Sequence, residues 1–136
     1  MIIVDDGLSL DALAGRRSRF GAADEDKVAT TWGFHYRLIR ALSDTERTGR
    51  LSGGHPETLL QEALHPRPND LEVLDPREVT GAAAAIAVRH GLNLLAAELV
   101  ASAAHHDATV ALSSANVGRA WPAVLETEGV TLRIVD

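Results

Sequence analysis

Only a few places in this chain hold residue types that can do metal, acid–base or phosphate chemistry. Asp5 and Asp6 are adjacent carboxylates directly after a short apolar run. Their oxygens suit a hard cation, or they are a strand-end pair in a turn. Glu98 stands alone on an alanine-rich stretch, either as a displaced ligand or as an exposed or cap-adjacent glutamate. Ser113 and Ser114 follow a second apolar run, where hydroxyls can touch phosphate or metal, or cap the helix that follows. His105-His106-Asp107 sets two imidazoles side by side. Neighbours on a helix lie about 100° apart, so these read as surface histidines at a helix end, favourable to its dipole, rather than as ligands of one ion. Arg37, Arg40, Arg47 and Arg50 either track a phosphate backbone or form a solvated face paired with Asp44 and Glu46. His35, Tyr36 and Arg37 are core and surface positions of one helix, or contacts to nucleic acid. Nothing matches a serine-hydrolase elbow, a phosphate-binding glycine loop or a dinucleotide fingerprint.

Composition narrows the classes further. The chain has no cysteine, which removes disulfide scaffolds, thiolate zinc sites and cysteine nucleophiles. Its 136 residues suit one domain spanning 1–136. Such a length buries roughly 68% of the unfolded surface, enough for one core. The residues are 46% hydrophobic and 24% charged, values of a globular chain rather than a disordered one. The net charge of −6 argues against a dedicated nucleic-acid coat but leaves room for a local basic patch. Lys27 is the single lysine, so the basic residues are nearly all arginine, which reads mainly as genome composition. No apolar run approaches about 18 residues and the N-terminus lacks a secretory pattern, so the expected location is the cytosol, with no membrane contact.

The elements that must position these residues follow from pattern. Met1 to Val4 reads as a buried strand ending at the aspartates. Leu8 to Ala14 suits a short helix and Gly15 to Lys27 a loop. Val28, Trp32, Tyr36, Ile39 and Leu42 recur at helical spacing and predict an amphipathic helix, with Gly33 costing about 1 kcal/mol against alanine. Thr48 to Pro56 is a turn-rich link, Pro56 to Leu64 a short helix, His65 to Asp70 a loop and Leu71 to Leu74 a strand. Asp75, Pro76 and Glu78 predict a capped helix start, with Glu78 reaching back to the cap. That helix runs to His90 and stops at Gly91. A helix over Leu94 to His106, a strand over Ala108 to Leu112, a helix over Asn116 to Thr127 and a last strand over Val130 to Val135 complete the chain. Strands separated by helices predict a parallel sheet covered on both faces, with ligands at the strand C-termini. Asp5-Asp6 and Ser113-Ser114 are both at such ends.

Met1-Ile2-Ile3-Val4-Asp5 resembles the opening strand of PIN domains. Arg89-His90-Gly91-Leu92, the helix Ala96 to Ala103, the strand Ala108 to Ser114 and the ending Glu128 to Val135 resemble the same family without a gap. The likeness covers most of the chain, is strongest over about 82 to 135, and is closest to the small VapC-type toxins of bacterial toxin–antitoxin pairs. It implies a PIN-like three-layer α/β fold, a homodimer, and a ribonuclease site in which several carboxylates hold Mg²⁺ or Mn²⁺. Physically, one or two such ions activate water and neutralise phosphate.

Matched to that pattern, the first carboxylate is Asp5. The second is missing, because Val28 to Ser43 contains no acid and His35, Tyr36 and Arg37 occupy its place. Ala96 stands at the third position and Ser114 at the fourth. Asp6, Glu98 and the neutral oxygen of Asn116 are the neighbours able to substitute. Asp6 is expected to point away unless the strand has already ended, and Glu98 lies roughly 200° around the helix from Ala96. The expectation is therefore a degenerate PIN-like protein without nuclease activity or cofactor, which binds RNA, an antitoxin-like partner or another protein. The alternative is a divergent Mg²⁺- or Mn²⁺-dependent ribonuclease using Asp5, Asp6 and Glu98.

Overall fold

The computed structural model describes residues 1–48 and 56–136. The turn-rich link expected between Thr48 and Pro56, with Arg50, lies outside the described residues, as does the side chain of Arg47.

Five strands form one all-parallel sheet: β1 (Ile2–Val4), β2 (Val28–Thr30), β3 (Glu72–Val73), β4 (Thr109–Ser113) and β5 (Leu132–Val135), in the spatial order β3-β2-β1-β4-β5. The helices are α1 (Asp6–Leu13), α2 (Trp32–Thr48), α3 (Pro56–Leu64), α4 (Thr80–His90), α5 (Leu94–His106) and α6 (Trp121–Thr127). This is the expected α/β architecture, a parallel sheet flanked by helices on both faces.

The two faces can be read from β1 itself, because side chains alternate along a strand. Ile3 packs with Val110, Leu112 and the buried residues of α4, α5 and α6. Ile2 and Val4 pack with Leu8, Ala12 and Phe20 on the opposite side. Behind α1, Leu38, Leu42 and Ala63 join α2 to α3. Ile3 and Leu99 are fully buried; truncating either to alanine costs about 2–5 kcal/mol.

The stretch expected as one helix from Val28 divides in two. Val28-Ala29-Thr30 is a buried strand paired with β1 and β3, and Thr30 Oγ1 donates to the Val4 carbonyl at 2.8 Å. The buried stripe of α2 is Phe34, Leu38 and Leu42. Trp32 and Tyr36 are exposed and stack on each other with centroids 5.6 Å apart. A helix was expected from Asn116, but the chain there forms a 3₁₀ turn at Ser114–Asn116, and α6 starts at Trp121 with Pro122 in its first turn. Asp75 caps a 3₁₀ turn, Pro76–Glu78, that precedes α4. Gly91 ends α4 with φ of 65°, a conformation that favours glycine.

The topology locates a crevice. From β1 the chain steps outward to β2 and β3, then returns to the other side of β1 as β4. The strand order therefore reverses between β1 and β4. In parallel sheets the gap beyond the strand C-termini at such a reversal is where ligands bind. Asp5 and Ser113 sit there.

Candidate functional site

Asp5 follows the last residue of β1 and is fully buried. It is also the N-cap of α1, so its side chain must satisfy the free N–H groups of that helix. Its Oδ1 accepts from Leu8 N at 2.9 Å. Its Oδ2 accepts from Ser113 N at 2.7 Å, Ser113 Oγ at 2.6 Å and Asn116 Nδ2 at 2.8 Å.

The strand ends at Val4, so Asp6 lies on the first turn of α1 and is not forced to the opposite face. The amide of Asn116 bridges the two carboxylates, with Nδ2 also donating to Asp6 Oδ1 at 2.9 Å. An amide nitrogen has two hydrogens, and within reach of this one lie both aspartates and, at 3.2 Å, Ser113 Oγ. On the outer side Arg37 closes the cluster. Its Nε is 3.5 Å from Asp6 Oδ2, and its terminal nitrogen donates to Asn116 Oδ1 at 3.4 Å. Its guanidinium also lies over the Phe34 ring, 5.7 Å from the centroid. The cleft beside this cluster is lined by Asp6, Arg37, Arg40, Ala41, Ser43 and Asp44.

The other positions singled out in the sequence lie as follows. Glu98 is buried on α5, and its Oε1 accepts from Gly33 N at the start of α2, 2.8 Å away. Ala96 is buried in the first turn of α5, where its N–H is capped by Asn93 Oδ1. Ser114 is exposed on the 3₁₀ turn, and the hydroxyl that reaches Asp5 belongs to Ser113. Arg40 is exposed at the cleft. The sequence reading missed Ser113 as the residue holding Asp5. Simple alternation along the strands would instead set Ser114 on the face of Leu112 and Ile3; Ser113 meets Asp5 because β1 ends at Val4 and Asp5 turns into the cap of α1.

A second group of arginines, Arg16, Arg17 and Arg19, has structural partners. Arg16 and Arg19 each reach the buried Asp11 at 2.9 Å, and Arg17 donates to the carbonyls of Ala23 and Asp26.

Hard divalent cations take six or more oxygen ligands, most of them from carboxylates and water. Here both oxygens of Asp5 already accept protein donors, and Asp6 faces an amide and a guanidinium. The donor set as it stands does not fit such an ion. What it can do is fix the ends of β1 and β4 against α1 and present Arg37 and Arg40 along one cleft.

The fold is similar to that of two solved proteins. The crystal structure of PAE2754 from Pyrobaculum aerophilum matches with a TM-score of 0.62 and 21% identity, over 96% of this chain and 89% of that one. A chain of the toxin–antitoxin complex from Klebsiella pneumoniae matches with a TM-score of 0.54 and 14% identity, over 82% of this chain and 84% of that one. The chain shares the fold of a toxin–antitoxin component. At these identities the likeness is one of fold. No family model matches the sequence, and no curated protein matches it. Among the described residues, no single helix is long and apolar enough to cross a membrane.

Proposed function

We propose that this protein is a degenerate PIN-like domain that binds rather than cleaves, and that its partner is an antitoxin-like protein. One observation carries the reading. Asp5, the one family carboxylate retained at its own position, has both oxygens occupied by Leu8, Ser113 and Asn116. The Asn116 amide stands between the two aspartates, turning donor hydrogens toward the oxygens a cation would need. The fold likeness to a toxin–antitoxin chain supports a protein partner. So does an apolar groove between α4 and α5, lined by Val79, Ala83, Ala87, Leu94 and Ala97.

RNA is the second reading, favoured by Arg37 and Arg40 side by side on the cleft. Arginines so placed would contact phosphates without reading sequence. A homodimer belongs to the same proposal and is checked by light scattering of the purified chain.

The test is incubation of the protein with single-stranded RNA in Mg²⁺ or Mn²⁺. The reading expects intact RNA. Cleavage that disappears in Asp5→Ala would overturn it in favour of a divergent metal-dependent ribonuclease. If RNA is the partner, Arg37→Ala and Arg40→Ala each weaken binding and flatten its salt dependence.

A further inference from the structure

His105 and His106 occupy the last turn of α5, and Asp107 ends that helix in the left-handed region with φ of 50°. Glu78 closes the 3₁₀ turn that leads into α4. Because α4 and α5 pack as a bent pair, the entry to the first helix lies beside the exit of the second. Three side chains from two elements meet there.

Glu78 Oε2 is 3.6 Å from His106 Nε2 and 3.9 Å from His105 Nε2. One ligand atom from each of the three residues lies within 4.8 Å of the other two. The two imidazole rings meet edge to face, with centroids 4.9 Å apart. Helical spacing alone argued against adjacent histidines sharing an ion. At the end of the helix both rings turn toward the same carboxylate instead.

The spacing and the chemistry fit one class of ion. Donors about 2.0–2.1 Å from a tetrahedral zinc ion lie roughly 3.3 Å from each other. The two Glu78–histidine separations need to contract by about 0.3–0.6 Å to reach that, and the two histidine donors, within 4.8 Å of each other, by at most about 1.5 Å. Imidazole nitrogens suit zinc and its transition-metal neighbours, whereas Mg²⁺ prefers oxygen donors alone. Two histidines and one glutamate leave a fourth position for water. The nearest cation in sequence, Arg77, does not compete. It is committed to Asp75, with its Nε 3.0 Å from each carboxylate oxygen and its terminal nitrogen 2.7 Å from Oδ2. The His106 side chain is about three-quarters shielded, at 23% exposure, while His105 and Glu78 stay open to solvent.

We propose that Glu78, His105 and His106 form a zinc-binding site that ties the start of α4 to the end of α5. The site shares no residue with the Asp5 cluster and would hold whether or not the protein binds RNA or an antitoxin-like partner.

The test is calorimetric titration of the chelator-treated full chain with ZnCl₂, with melting followed in parallel. One equivalent should bind and the melting temperature should rise, while MgCl₂ at the same concentration does neither. His105→Ala and His106→Ala should each weaken zinc binding about tenfold or more. His65→Ala, a histidine on a distant loop, should leave it unchanged. Co²⁺ bound in place of zinc should show visible absorption that is lost in His106→Ala. If an alanine variant fails to fold by circular dichroism, Glu78→Gln, which keeps the side-chain shape, gives the same readout. Absence of binding to the wild-type chain, or binding that survives the double His105→Ala/His106→Ala change, would overturn the site.

Discussion

Glu98 and Gly33 are 65 residues apart in sequence, yet the Glu98 carboxylate accepts the Gly33 backbone N–H at 2.8 Å. Gly33 is the second residue of α2, where N–H groups lack helical partners and the dipole is positive. Thr31 Oγ1 serves the next amide, Phe34 N, at 3.3 Å. The start of α2 is therefore capped partly by its own sequence and partly from α5. Glu98 is 6% exposed, so the bond forms away from water.

Removing that carboxylate strands a buried N–H and loses a charge-assisted bond. Glu98→Ala should lower unfolding stability by about 2–3 kcal/mol, and Glu98→Gln, which keeps an acceptor, by less. Urea denaturation checks both. Equal losses for the two variants would show that a neutral acceptor cannot replace the carboxylate charge.

Gly33→Ala tests the same contact from the other side. Helix propensity favours alanine by about 1 kcal/mol. A Cβ at Gly33, however, would lie 2.8 Å from Glu98 Oε1 and 2.9 Å from Leu95 Cδ1. Pushing Glu98 aside also breaks its bond, so the net change should be destabilising by about 1–3 kcal/mol. A more stable variant would mean that α5 yields freely.

Asn116→Asp is expected to change the chemistry of the crevice. The bridging amide would become a third carboxylate beside Asp5 and Asp6, with like charges within hydrogen-bond distance. Without added metal the variant should melt at a lower temperature than the wild type. Mg²⁺ or Mn²⁺ should restore part of that loss, because a divalent ion neutralises grouped carboxylates. Melting with and without the ions is the measurement, and no recovery would mean that Arg37 already supplies the needed charge.

Glu128 gives a pH dependence with a defined sign. Its carboxylate accepts from His90 Nε2 at 2.8 Å and lies 2.7 Å from an Arg89 nitrogen, and these contacts, His90 first, hold its pKa below the ordinary value. A lowered folded pKa means stability that is present above the unfolded carboxylate pKa and lost as pH falls through the folded one. Glu128→Gln should therefore melt below the wild type at neutral pH, and the gap should close in acid. A gap that is constant with pH would show that shape alone matters there.

Asp11 is nearly buried between two half-exposed arginines. Arg16→Ala or Arg19→Ala alone should cost no more than about 1 kcal/mol, since the other cation remains and both are partly solvated. The double variant leaves a buried charge uncompensated and should cost about 2–3 kcal/mol, more than the sum of the single changes. Chemical denaturation of the three variants decides it.

Much of this arrangement could be read from the residues. The apolar run ending at Asp5, the Gly91 stop and the strand over Ala108 to Leu112 all carry strong local signals, and together they imply a parallel sheet with Asp5 at its upper rim. β2 could not be read in the same way. Its three residues are too few to show a period of two, and Val28, Trp32 and Tyr36 repeat by coincidence at helical spacing. In the fold that spacing serves a stacked pair on the outside of α2. The site was legible only in part. Asp5 was visible because a strand end selects it, and Asn116 was visible as an oxygen ligand. Its use of the amide nitrogen to join two carboxylates was not, because a 3₁₀ turn replaces the expected helix start. Glu98 read as a displaced ligand, or as an exposed or cap-adjacent glutamate on an alanine-rich helix. Its burial depends on where α2 begins, which is a tertiary fact.

The partners of Asp5 on β4 and the turn after it lie 108 and 111 residues further along the chain. A ribosome emits the N-terminus first, at roughly 5–20 residues per second. For several seconds the nascent chain therefore holds Asp5 with only its cap on α1 available, while one whole side of β1 stays unpaired. Contacts this distant in sequence slow folding because loop closure must precede them. The crevice is thus among the last features to exist during synthesis. A chain interrupted before Thr109 would carry the aspartates but not the crevice, and would expose the unpaired edge of β1 to whatever else is folding nearby.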